Sequence, residues 1–171
     1  MSKYLNFSLK IGCNMNVHFG FSIIGAVFLI MLFIPNLFWI RNKPKNYDKY
    51  ASDENKILLI FERVGEVLVT CFALIFADPE IGKLTPRLFL LALAIAVMIL
   101  YEIYWIRYFR SEHKMSDFYS SILGIPLAGA VLPVIAFLLL GIYKDNIFLI
   151  IADIILGIGH IGIHAGHLDD E

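Results

Sequence analysis

Five runs of predominantly apolar residues, each near the length of a bilayer-crossing helix and separated by short polar loops, account for most of this chain. A crossing needs about 20 such residues, and a backbone in hydrocarbon must satisfy its own hydrogen bonds, so the runs must be helical. The expected fold class is all-α, a polytopic integral membrane helical bundle with five transmembrane helices in a single domain over residues 1–171. The helices are predicted at about 18–40, 56–77, 87–106, 118–143 and 146–167. Residues 1–17 are too short and mixed to span and are expected to lie in the interface. The run after His18 lacks a small-residue cleavage site, so it is expected to remain as a membrane helix rather than act as a removable signal. Pro35 predicts a kink in the first helix, and Pro126 and Pro133 fall inside the fourth.

Composition agrees with this class. Hydrophobic residues make up 59% of the chain and mean hydropathy is +0.75, above the apolar share of about half in soluble domains. A net charge of −1 offers no basic surface for nucleic acid, and the short basic stretches flank apolar runs, where they orient helices. Cys13 and Cys71 have neither the number nor the spacing of a disulfide framework or a thiolate zinc site.

The bias of Lys and Arg among short loops sets the expected orientation. Arg41, Lys43, Lys45, Lys49 and Lys56 follow the first helix, and Arg107, Arg110 and Lys114 follow the third. Lys3, Lys10, Lys83, Arg87 and Lys144 fall on the other side. Eight against five predicts an outside N-terminus and a cytosolic C-terminus. Trp39, Trp105 and the neighbouring Tyr101, Tyr104, Tyr108 and Phe109 then read as an interfacial aromatic belt. The linker from Arg41 to Asn55 is the longest loop and the best candidate for a cytosolic flap.

Ionisable side chains at membrane depth are costly, which makes them functional candidates by default. Asp153, His160, His164 and His167 fall within about 60° of one another around the last helix, as one polar stripe. Glu62 and Glu66 share a face of the second helix, and Glu102 lies about one turn from the inner end of the third. With the predicted topology, three carboxylates and two imidazoles occupy one cytosolic layer, joined by Asn36, Tyr119, Ser120 and Ser121. Asp153 lies alone in the outer half, and His167 is placed at the interface.

Two readings of this layer follow. As metal ligands, Glu62, Glu66, His160, His164 and His167 supply the carboxylate and imidazole set of helical-bundle centres, suited to zinc, iron or manganese. As acid and base groups, Glu62, Glu66, His160 and His164 would be catalytic, with Glu102 orienting them or pairing with Arg63. Gly157, Gly159, Gly162 and Gly166 make the last helix thin, so it is expected to be central, or to serve as a homo-oligomer face. The second, third and fifth helices are expected to surround the site.

The run Gly159-His160-Ile161-Gly162-Ile163-His164 resembles the last-helix histidine pair of the membrane hydrolases that include alkaline ceramidases and adiponectin receptors. The likeness covers six residues, and the further histidine, serine and aspartate of those seven-helix proteins have no evident counterpart, so their activity is not carried over. Translocator proteins share the five-helix count and similar length, which is architecture alone.

The functional expectation is a membrane-embedded enzyme, with or without a divalent metal, acting on a lipid or small amphipathic substrate. A proton- or cation-coupled transporter or channel with Asp153 as its outer relay is the rival, and a non-catalytic assembly subunit is the third reading.

Overall fold

The computed structural model describes residues 18–52, 54–80 and 86–169. The expected interfacial segment 1–17 lies outside them. The fold is all-α, with helices α1 (Ile23–Trp39), α2 (Tyr47–Ala51), α3 (Lys56–Ile75), α4 (Pro86–Phe109), α5 (Met115–Phe118), α6 (Ala128–Tyr143) and α7 (Ile147–Asp169). No strand is present among the described residues, only two isolated bridges.

The long helices match the five apolar runs, with two boundary corrections. Helix α1 begins at Ile23 rather than His18, because residues 18–22 run extended along the end of α3. Gly20 N donates to Ile75 O and Ala77 N to His18 O, each at 2.9 Å, and Ser22 then caps α1 by accepting from Gly25 N at 2.8 Å. The fourth predicted helix is shortened from Phe118 to a start at Ala128. Pro126 disfavours helical geometry at Ile125, and residues 119–127 turn instead, with Leu123 and Leu127 at positive φ. As a result α1 has 17 residues and α6 has 16, whereas Arg87–Phe109 and Ile147–Leu168 are each long and apolar enough to cross a membrane.

The long helices close a ring in the order α3, α7, α6, α4, α1 and back to α3. The α3–α7 seam is the closest. A Cβ on Gly159 would collide with the backbone of Glu62, and one on Gly65 with the backbone of Leu156, so only glycine allows these two helices to approach so near. Gly157 and Gly162 are likewise used inside the chain, against Val134 and Leu58, while Gly166 faces open space.

Four of the aromatic residues expected in an interfacial belt are core residues of the protein, and Trp39 and Phe109 are half-buried. Tyr101, Tyr104, Trp105 and Tyr108 are all buried, and Trp105 packs on Tyr104, Tyr108, Phe109 and Phe118. Their hydroxyls tie down neighbouring segments. Tyr108 donates to Asn42 O at 2.7 Å, Tyr104 donates to Phe118 O, and Tyr101 accepts from Asn36 Nδ2 at 3.3 Å.

Candidate functional site

The helices line a half-open cavity of about 870 Å³ whose walls come from all five long helices and from α2 and α5. Most of its lining is apolar, from Leu32 and Phe33 on α1 through Val67 and Val69 on α3 to Val134 and Phe137 on α6. Its ionisable lining residues are Glu54, Glu62, Arg63, Glu66, His160 and His164, with Trp39 and Tyr47 in the same wall.

The centre of this ionisable set is a hydrogen bond across the α3–α7 seam. Glu62, 8% exposed, places Oε1 2.6 Å from Nδ1 of His160. Gly159 brings the two together, since it lets the α3 backbone approach α7 one residue before His160. An ionised carboxylate is an acceptor, so the imidazole donates from Nδ1, and in a neutral ring the lone pair is then on Nε2. His164 stands one turn further along α7, its ring 4.6 Å from that of His160.

A second set of contacts continues from His164. The Tyr119 hydroxyl lies 3.3 Å from Nδ1 of His164 and 2.6 Å from Nδ1 of His167, and Nε2 of His167 lies 3.4 Å from Oε1 of Glu54. His167 is buried against these neighbours, at 3% exposure. The loop that reads as a flap folds over these residues. Tyr47 and Tyr50 set their rings 6.0 Å from that of His167, and Lys45 N donates to His113 O at 3.0 Å. Burial raises the Glu54 carboxyl above the ordinary range, although His167 pulls it down, and burial likewise raises Tyr47.

The other expected members are not joined to this pair. Glu66 lines the same cavity but pairs with Arg63 at 2.9 Å, one turn apart on α3, both side chains being largely exposed. This also removes the expected pairing of Arg63 with Glu102. Glu102 does not line the cavity, and its Oε1 is buried without a partner. Helix α4 packs on α6 and α1 and reaches the cavity through Tyr101 and Trp105. The proposed four-ligand set is thus not assembled, and among the described residues no group of three or more His, Cys, Asp or Glu converges to hold a metal ion. Asp153 is fully buried on α7, away from the cavity lining, with neither carboxylate oxygen hydrogen-bonded.

Glu54 escaped the sequence reading because it lies in a polar loop, where a glutamate carries no signal. Lys144 was counted as a topological charge, yet its side chain is only 1% exposed. Its Nζ donates to Ser22 Oγ and Phe76 O, each at 2.7 Å, and pairs with Asp78 at 3.2 Å, clamping the starts and ends of α1, α3 and α6. Burial alone raises Asp78, but hydrogen bonds from Ser22 and Ile24 together with Lys144 outweigh it and hold the carboxyl below its ordinary range. Lys144 is lowered by burial, with Asp78 opposing. This cluster holds the far end of the helices.

No protein-family model matches the chain, and comparison with curated proteins and with solved structures finds no match.

Proposed function

We propose that the chain is a five-span membrane enzyme, N-terminus outside and C-terminus cytosolic, that performs acid–base chemistry on a lipid or small amphipathic substrate. The observation that carries this reading is the buried Glu62–His160 hydrogen bond opening onto a cavity with mostly apolar walls. The apolar walls suit an acyl or other hydrocarbon portion, and the ionisable lining suits the group that reacts. Large exposed apolar residues outside the cavity lining, among them Ile30 and Phe38 on α1, Ile60 on α3 and Ile99 on α4, support immersion in lipid.

In this mechanism Glu62 fixes the proton of His160 on Nδ1 and leaves Nε2 as the base. When Nε2 takes a proton from water or substrate, the adjacent carboxylate stabilises the imidazolium, which then returns the proton to the leaving group. Arg63 and Glu66 satisfy each other and leave the buried pair to act alone.

The test is turnover in proteoliposomes made from the total lipid extract of the host, followed by mass spectrometry. A lipid species consumed by the wild type and spared by both Glu62→Gln and His160→Gln supports the enzyme. Identical lipid profiles in all three overturn it.

One observation favours the transport reading. Asp153 is a fully buried acid without a partner, seven residues before His160 on the same helix. Proton flux into vesicles that is abolished in Asp153→Asn would replace the enzyme reading with that one.

A further inference from the structure

The contacts that lead from His164 to Glu54 impose a constraint on proton placement that the Glu62–His160 pair does not. The Tyr119 hydroxyl faces the Nδ1 atoms of both His164 and His167. One hydroxyl proton can meet only one of two Nδ1 lone pairs, so at least one imidazole must carry its own proton on Nδ1. Glu54 decides which. Its carboxylate lies 3.4 Å from Nε2 of His167, not aligned as a hydrogen bond but near enough for its negative charge to favour a proton on that nitrogen. His167 then accepts at Nδ1 from Tyr119, in keeping with the short 2.6 Å contact, and Tyr119 in turn accepts from Nδ1–H of His164 at the longer 3.3 Å.

We infer that Glu54, His167 and Tyr119 form an orienting chain that holds His164 in the Nδ1–H tautomer, so that its Nε2 presents a lone pair as a second base of the cavity. This rests on the acid–base reading above for its function, while the tautomer itself does not. His164 lines the cavity beside His160, and its ring packs against Phe118 at 5.7 Å and Tyr119 at 5.9 Å between centroids, which restricts its rotation. In this arrangement both imidazoles line the cavity, each donating from Nδ1 to a neighbouring side chain and leaving its lone pair on Nε2. The groups that set this state come from four segments: Glu62 on α3, Tyr119 after α5, His160, His164 and His167 on α7, and Glu54 on the folded-over loop. Glu54, His167 and Tyr119 are positioning residues, since they act through His164.

The experiment is nitrogen-15 NMR of histidine-labelled full-length protein in nanodiscs, with His164 assigned from the signal lost in His164→Gln. The wild type is expected to show His164 protonated on Nδ1. In Tyr119→Phe the His164 signal should move to the Nε2–H tautomer or a mixture, while His160 keeps its Nδ1 proton. Glu54→Ala, in the loop before α3 and outside the packed helices, should shift both His167 and His164. A wild-type His164 protonated on Nε2, or a His164 signal unmoved in both variants, overturns the inference. Because no substrate is needed, absence of lipid turnover alongside an Nδ1–H His164 would remove the enzyme reading and leave the orienting chain standing.

Discussion

Glu62 Oε1 lies 2.6 Å from His160 Nδ1, joining side chains 98 positions apart at the point where α3 and α7 come closest. Neither residue could be reached by the other on its own helix. The pair exists because two glycines thin the seam, and its acid–base competence depends on that seam staying closed.

Conservative removal of either partner should therefore cost activity more than stability. Glu62→Gln and His160→Gln are each expected to lower turnover of the responsive lipid by about a hundredfold to ten-thousandfold, the range for loss of a positioned acid–base group. Thermal unfolding of each variant in detergent measures the fold separately and should stay close to wild type.

The seam itself can be opened. Gly159→Ala places a methyl group against the Glu62 backbone, and overpacking of a closed interface costs about 1–3 kcal/mol. Gly166→Ala meets nothing nearby and should leave stability unchanged or slightly raised by helix propensity. Comparison of the two melting temperatures checks this, and equal values would contradict the packing.

The clamp at the far end predicts acid sensitivity. Asp78 has its folded pKa below the ordinary value, so its stabilisation is complete above that value and is lost as the pH falls through the folded one. Melting temperature should drop on acidification below about pH 4, near the ordinary carboxylate range, and the drop should shrink in Asp78→Asn. Asp78→Ala leaves Lys144 buried without its partner and should cost about 3–5 kcal/mol near neutral pH.

Asp153 offers the opposite sign. Its oxygens are buried without partners, so Asp153→Leu should raise stability by about 1–3 kcal/mol, as removal of an unsatisfied polar group does. Lipid turnover should be unchanged, because Asp153 does not line the cavity. A fall in melting temperature would show that the acid is needed where it is.

Orientation is checked by labelling. In a chain lacking Cys13 and Cys71, a cysteine at Asp48 should react with an impermeant maleimide only from the cytosolic side, and one at Glu80 only from outside. The reverse pattern would invert the proposed topology.

Much of this architecture was legible in the chain. The apolar runs placed α1, α3, α4, α6 and α7, and the glycines of the last helix marked it for close packing, although it takes its place in the ring between α3 and α6 rather than at a centre. His160 and Glu62 stood out because charge is costly in an apolar run. Glu54 did not, since its importance comes only from the helix end it is folded onto. Lys144 misled for the same reason: a loop lysine reads as a surface charge until three chain segments close around it.

The sequence by itself determined the helices, the apolar character of their faces and the short set of ionisable groups they carry, because these follow from composition at fixed spacing along one chain. Only the tertiary structure decided which groups act together. It joined Glu62 to His160 and turned Glu66 to Arg63, left Glu102 and Asp153 apart, and brought Tyr119, His167 and Glu54 behind His164. The physical reason is that hydrogen bonds depend on distances of about 3 Å between atoms, and those are set by how closely helices pack rather than by the residues each helix contains.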